Sequence, residues 1–391
     1  MDSEIKKVLQ EHAPAMIELR RVLHQNPELA YQEYVTTKYI KEELLACGAT
    51  LLEDILPTGA VAIFGKETGK TIMVRQDIDA LPMKELTDLP YASKNDACHS
   101  CGHDIHTTSL LLLAKGLASC QDKLQGRVVL VFQPAEEGAG GAIKMIDAGL
   151  MEKLPKIDSV IGFHVDCDTP VGKIGITKGP ACASSDGVSI TVHSKGGHGA
   201  HPYRCADPIT TAGYLLTQLQ TVISRENPAV QPAVLTFGTI NGGTAANIIP
   251  TEVTMKGSLR SFNEQGRHKM WESIKRVSEC CCQAMRAEVS VNIHEGLPVL
   301  LNDPEICDKI ALATRKVLGD DSVIWGEYPS PGSDDFACFL SYAKGVQFRV
   351  GTSNDDPNSK LGIHNPKTIF DERAIYNGAL VMQEYICNEL F

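Results

Sequence analysis

The sequence predicts an α/β fold interrupted by a smaller, inserted α+β domain. Three observations lead there. Strand-like and helical patterns alternate from Ala60 to Phe163 and again after Gly296, the order that builds a largely parallel sheet. Near Asp186 the pattern changes to β-α-β-β-α-β over roughly a hundred residues, the order of a split βαβ unit with helices on one face of an antiparallel sheet. The length, 391 residues, exceeds what one ordinary core holds. The expected division is 1–185 with 296–391 for the larger domain and 186–295 for the insert. An insert whose ends lie close together disturbs its host little.

The first element runs from Glu4 to His24, where Ile5, Val8, Leu9, Met16, Leu19, Val22 and Leu23 recur at helical spacing, with Pro14 as a candidate break. Asn26-Pro27 ends it. Tyr34 to Cys47 is a second helix, closed by Gly48. Ala60 to Phe64 and Thr71 to Arg75 read as strands. Between them GKETGKT (Gly65 to Thr71) nearly matches a phosphate loop, but it has three residues between its glycines where the motif needs four, and a strand follows it. A hairpin turn is expected instead. Then come a helix (Ile105 to Cys120), a strand (Arg127 to Phe132), a helix (Ala142 to Ala148) and a strand (Ser159 to Phe163). In the insert Val188, Ile190 and Val192 alternate with polar residues. A helix (Pro208 to Ile223), two strands (Val234 to Ile240, Glu252 to Arg260), a long helix (Glu264 to Arg286) and a strand (Glu288 to His294) follow. The larger domain resumes with a helix (Glu305 to Leu318), a strand (Val346 to Val350) and a closing helix (Glu372 to Leu390).

Lys and Arg number 37 against 48 Asp and Glu, a net charge of −11 with no basic block. Phosphate contacts need clustered cations, so the chain is a poor candidate for nucleic-acid or anionic-membrane binding. No apolar run approaches the roughly 20 residues of a bilayer span. The first residues (Met1, Asp2, Ser3, Glu4) are acidic where an export signal is basic, so the expected location is the cytoplasm. Thirteen cysteines form an odd set, and Cys280, Cys281 and Cys282 stand in a row, which suits reduced thiols rather than a disulfide framework.

Metal-type ligands concentrate in a few segments expected as loops after strands, where α/β enzymes hold their sites. These are RQDIDALP (Arg75 to Pro82), CHSCGHDIH (Cys98 to His106), FQPAEEG (Phe132 to Gly138), GFH (Gly162 to His164) and, late in the chain, LGIHNP (Leu361 to Pro366). Cys101 and His103 would diverge on a regular strand or helix; they converge only in an irregular turn, which Gly102 permits. Cys98 and Cys101 also make a C-x-x-C pair. A hydrolytic metal site, a structural zinc site and a metal-free redox dithiol therefore all stand, although the structural site lacks a second paired half and a redox motif would not be ringed by histidines. Glu136 and Glu137 end a buried-looking strand beside a Gly-rich turn. Adjacent side chains point apart, so one can bind metal while the other faces a water, the division that metal-assisted hydrolysis requires. His164, His364, Asp77 and Asp79 are each unremarkable alone; their joint fall at loop positions of one domain is what argues for a shared site.

Together the segments resemble the M20 metallopeptidase family, in particular its amidohydrolase branch of aminoacylases, hippurate hydrolases, auxin-conjugate hydrolases and N-acetyl-diaminopimelate deacetylases. The resemblance extends from RRVLHQNPEL (Arg20 to Leu29) to IHNPKTIFDE (Ile363 to Glu372), and HSCGHDIH and FQPAEE are its most specific motifs. It implies a catalytic α/β domain carrying a ferredoxin-like lid or dimerisation domain. It implies metal ligands at Cys101, His103, Glu137, His164 and His364, holding one or two divalent ions, with Cys101 bridging. Zinc, manganese, cobalt and nickel all suit such a set. It implies Glu136 as general base and Asp77 as the carboxylate that orients a ligand histidine. From the lid motif KGGHGAHP (Lys195 to Pro202), His198 would stabilise the oxyanion, in its own or a partner's site of a homodimer. Asn247 in NIIP and Arg260 in GSLR would clamp the free carboxylate of an amino-acid moiety.

Three departures stand out. DIDALP replaces the usual DMDALP, GSDDF (Gly332 to Phe336) places the shorter Asp334 where the family has Glu, and Tyr203 replaces a histidine of the lid motif. The resulting expectation is a metal-dependent amidohydrolase that cleaves the amide of a small N-acyl-L-amino acid. The alternatives are a dipeptidase or carboxypeptidase-like hydrolase of small peptides, and a binding protein on the same fold that has lost turnover.

Overall fold

The computed structural model describes residues 3–326 and 329–391; Met1 and Asp2 of the acidic N-terminus lie outside them. The chain divides into two compact units, one of Met1–Gly179, Leu301–Tyr328 and Asp335–Phe391, the other of Pro180–Leu300 and Pro329–Asp334. The strands of the two larger sheets are, in chain order, β1 (Thr50–Leu51), β2 (Ala60–Gly65), β3 (Thr71–Asp77), β4 (Arg127–Gln133), β5 (Ser159–Pro170), β6 (Ile174–Ile176), β7 (Ser185–His193), β8 (Ala233–Gly242), β9 (Glu252–Ser261), β10 (Glu288–Leu297), β11 (Val323–Trp325) and β12 (Gly345–Ser353). The principal helices are α1 (Ser3–Gln25), α2 (Tyr34–Ala46), α3 (His103–Cys120), α4 (Gly141–Asp147), α5 (Pro208–Thr221), α6 (Glu264–Ala284), α7 (Pro304–Leu318) and α8 (Arg373–Leu390).

In the first unit the sheet order is β1-β2-β4-β3-β5-β12-β6-β11, and the central run β4-β3-β5-β12 is parallel. Every residue of β3 is buried, as expected for a parallel strand covered on both faces. The expected hairpin of β2 and β3 does not form. β4 lies between them, antiparallel to β2 and parallel to β3, and the Gly65–Thr71 loop steps over it. Lys66 N–H donates to Gly126 O (2.9 Å) and Arg127 N–H to Lys70 O (2.8 Å), which ties the loop to the start of β4. Nor does Pro14 break α1. It sits with Gln10 on the solvent side, where the carbonyl that loses its partner stays hydrated.

Helix α3 is buried at every position from His103 to Ala114 and packs on α1, α8 and β3. Such a helix shows no apolar stripe because every face meets protein. Its N-terminus is set by Gly102 at φ +82°, where a Cβ would meet Val165 Cγ2 at 2.6 Å. Strand β5 runs past the expected end at Phe163, so His164 stands within a strand rather than in a loop after it. β3 and β5 pair only from Ile72 to Val74 against Ser159 to Ile161 and part beyond. The candidate site is built around that parting.

The second unit is an antiparallel sheet of order β8-β9-β7-β10 covered by α5 and α6. The alternating Val188, Ile190 and Val192 meet Leu215, Met270 and Ile274 in its core. Asp207 caps α5 and Asn263 caps α6. The buried Arg267 of α6 pairs with Asp186 at the start of β7, and Trp271 Nε1 donates to the same carboxylate at 3.0 Å. This is the split βαβ order, and the α/β fold class with a smaller α+β insert holds.

Candidate metal centre

The segments around the ends of β3 and β4, the start of α3 and β5 gather four of the five expected ligands, and the loop 361–366 adds the fifth. Suitable donor atoms of Cys101, His103 and His164 lie within 4.8 Å of one another, and so do those of Cys101, Glu137 and His364. Cys101 Sγ is 3.4 Å from His164 Nε2, and Glu137 Oε1 is 3.3 Å from His364 Nε2 and 3.9 Å from His103 Nε2. Cys101, His103 and His164 are buried, Glu137 is nearly so, and His364 forms the open side at 48% side-chain exposure. His364 has φ +60°, and its N–H donates to Ser100 O (3.0 Å), which pins the late loop to the Cys98–Cys101 turn.

Hydrogen bonds behind the site present the imidazoles. His103 Nδ1 donates to Asp79 O (2.9 Å) and His164 Nδ1 donates to Val165 O (2.8 Å), so both rings turn an Nε2 lone pair inward. Among the described residues, His103 Nε2 and Glu137 Oε1 are buried and complete no hydrogen bond of ordinary geometry, although the Cys101 thiol and the His364 ring lie close to them. Buried polar atoms are rarely left so, and these two face one another across the gap between the donors. Burial pulls the proton affinity of His103 down, but Asp77 and Cys101 more than offset it and leave its pKa well above the usual imidazole value. Burial holds the Cys101 thiol far above its usual pKa, so a cation is what would keep it a thiolate. The donor set thus fits one or two divalent ions, with soft, borderline and hard ligands side by side.

The environment of the C-x-x-C pair gives no support to a redox dithiol. Burial pushes Cys98 up to about 12 and Cys101 in the same direction, the reverse of what a reactive pair needs. All thirteen cysteines are unbridged.

Asp77 is fully buried at the end of β3. It lies 2.5 Å from His106 Nδ1 and 3.7 Å from His103 Nε2, and Arg75 donates to its other oxygen at 2.9 Å. Burial alone would raise its pKa, but His103, His106 and Arg75 outweigh that and hold it well below the usual carboxylate range. The group that holds His103 from behind is Asp79, through its backbone carbonyl. The Asp79 carboxylate also accepts the N–H groups of both Glu136 and Glu137, each at 3.0 Å. Glu33 accepts the preceding amide, Ala135 N–H, at 2.9 Å and the Thr58 hydroxyl at 2.8 Å. Ala135 sits at φ +59°, and Gly141 N–H closes the loop onto Ala135 O (2.9 Å). Two buried carboxylates therefore grip three consecutive amides and set the turn that carries Glu136 and Glu137. Glu136 is half-buried and belongs with Glu137 and His103 in one compact group.

Sequence reasoning placed Asp79 at the shared site without a role, and missed Glu33 and His106 as working parts. The D-x-D spacing and the i, i+3 spacing of His103 and His106 were visible signals. Glu33, 102 positions from the amide it holds, carried none.

The remaining expected residues lie in the second unit. His198 pairs with Ile248 across a two-residue ladder, and Gly199 N–H donates to Asn247 O (2.8 Å), so His198 and Asn247 are neighbours. Ala200 N–H donates to His198 Nδ1 (3.0 Å), which leaves the proton of a neutral ring on Nε2. Arg260, on β9, donates to Ser333 Oγ at 3.1 Å. Asp334 is buried in the same unit.

A sequence profile of peptidase family M20/M25/M40 matches residues 73–388. Thermostable carboxypeptidase 2 of Saccharolobus solfataricus is 37% identical over 383 residues, 96% of either chain. The N-acetyl-L-cysteine deacetylase of Bacillus subtilis is 38% identical over 371 residues, 94% of this chain and 86% of the relative. The crystal structure of Bacillus subtilis YXEP, described as a dinuclear metal-binding peptidase, superposes with a TM-score of 0.85 at 32% identity, covering 97% of this chain and 99% of that one.

Proposed function

The chain belongs to peptidase family M20/M25/M40, and from that premise we propose that it hydrolyses the amide bond of a small N-acyl-L-amino acid, releasing a carboxylic acid and an amino acid. The observation that carries the proposal is the cluster of Cys101, His103, Glu137, His164 and His364, in which His103 Nε2 and Glu137 Oε1 complete no hydrogen bond of ordinary geometry among the described residues. These five residues are assigned as metal ligands. When bound there, one or two divalent ions, drawn from zinc, manganese, cobalt and nickel, supply Lewis acidity that polarises the amide carbonyl and acidifies water. Glu136 takes a proton from the water that attacks the carbonyl and delivers it to the leaving amine. Asp79 and Glu33 hold the Glu136 turn at rest, so no reorganisation is needed at the moment of proton transfer. Asp77 is assigned, with His106, to the support behind the ligands. His198 is assigned to the oxyanion, and Asn247 with Arg260 to the substrate carboxylate.

In this reading residues 1–185 and 296–391 form the catalytic domain, residues 186–295 form a lid through which a homodimer assembles, and the unbridged cysteines favour the reducing cytoplasm. Among the described residues no helix is long and apolar enough to cross a membrane. A peptidase reading is favoured by one observation, the carboxypeptidase relative. A panel of N-acetyl- and N-benzoyl-amino acids beside dipeptides, run on protein of measured metal content, decides between them. Turnover confined to dipeptides would overturn the N-acyl assignment, and turnover of neither class by metal-loaded protein would favour the binding protein.

A further inference from the structure

Where β3 and β5 part, two side chains take the place of the missing ladder. With its amide turned so that nitrogen and oxygen each meet a partner, the Gln76 carboxamide donates to the Phe163 carbonyl at 2.9 Å and accepts from the Phe163 N–H at 3.2 Å. Two residues on, Val165 N–H donates to His106 Nε2 at 2.9 Å. A ring nitrogen that accepts leaves the proton on the other, and His106 Nδ1 meets Asp77 Oδ1 at 2.5 Å. Val165 O in turn accepts from His164 Nδ1. Val165 is thus held at its N–H by His106, and holds His164 with its carbonyl. Both the tautomer and the tilt of His164 depend on where that carbonyl points. The rings of His106 and His164 lie edge to face, with centroids 4.8 Å apart.

We propose that His106 is a positioning residue. Anchored by Asp77, it stands in for the absent strand neighbour at Val165 and fixes the backbone that aims His164 Nε2 toward Cys101. The inference rests on the assignment of His164 as a metal ligand. It concerns a buried histidine, 0% exposed, that is not itself among the five ligands.

Two substitutions separate positioning from packing. In His106→Gln the side-chain amide reaches the place of Nε2 and can accept Val165 N–H. In His106→Asn it reaches only the place of Nδ1, toward Asp77. Zinc affinity of the metal-stripped protein, read by competition with a chromophoric chelator, is the measurement, with folding checked by circular dichroism. His106→Asn should bind zinc about 10–100-fold more weakly, the usual cost of losing such outer support, and His106→Gln should return close to wild type. Should His106→Asn fail to fold, His106→Met against His106→Gln makes the same comparison, since methionine fills the space without an acceptor. Wild-type affinity in His106→Asn, or equal weakening in the Gln variant and its partner, overturns the inference. His164→Ala serves as the control. If it leaves zinc affinity unchanged, the ligand assignment falls and the inference with it; if it weakens binding while His106→Asn does not, the inference alone falls.

Discussion

Replacing Asp79 by alanine should loosen the turn that carries Glu136 and Glu137, and the size of the effect follows from its bonds. The carboxylate accepts two backbone amides at 3.0 Å. Hydrogen bonds to a charged group contribute about 1.5–3 kcal/mol each. Both bonds are only partly buried, so water can partly replace the lost acceptor and the lower end applies, about 3 kcal/mol for the pair. At about 1.4 kcal/mol per factor of ten, local opening of the turn becomes roughly 10²-fold more frequent. Amide hydrogen exchange followed by mass spectrometry reads this directly on a peptide spanning 134–141. Asp79→Ala should accelerate exchange there by about that factor, and Asp79→Asn, which keeps one acceptor, by about tenfold. A base displaced by about 1 Å costs about 10²-fold in rate, so turnover should fall in the same order. Unchanged exchange across 134–141 in Asp79→Ala would show that the carboxylate does not hold the turn.

Three further outcomes follow. Glu136→Gln should retain bound metal, as measured by inductively coupled plasma spectrometry, while losing about 10²–10⁴-fold in turnover; a near wild-type rate would remove Glu136 as the base. His24 should make stability depend on pH. Burial and Arg20 lower its pKa, but Asp104 and Glu85 more than offset them and leave it raised. Its contribution is therefore complete below the unfolded value of about 6.5 and is lost as pH rises through the higher folded value. The difference in melting temperature between wild type and His24→Asn should shrink from about pH 6 to pH 9, and a constant difference would contradict this. Leu112→Ala, in the buried stretch of α3, should cost about 2–5 kcal/mol in denaturant unfolding, whereas a cost below about 1 kcal/mol would mean that α3 is not the packed centre of the unit.

Much of this was legible in the residues. The alternation of strands and helices, and its switch near Asp186, announced two kinds of sheet because side-chain periodicity follows backbone geometry. The ligand segments were legible because Cys, His and Glu beside glycine are chemically conspicuous. Sheet order was not. Nothing in GKETGKT tells a tight hairpin from a loop that steps over β4, since both ask for the same turn residues. Pro14 misled because propensity does not know which face of α1 meets water. The supporting residues were hidden for a related reason. Asp79, Glu33 and His106 act on backbone groups far along the chain, and a backbone amide carries no signature in sequence.

The claim on which the rest depends is that Cys101 and its four companions collect around a divalent cation. X-ray absorption spectroscopy of zinc-loaded protein tests it most directly. The wild type should show a sulfur neighbour at about 2.3 Å together with nitrogen and oxygen neighbours, and Cys101→Ala should lose the sulfur shell. A zinc-loaded wild type with no sulfur neighbour, or a sulfur shell that persists in Cys101→Ala, would contradict the account.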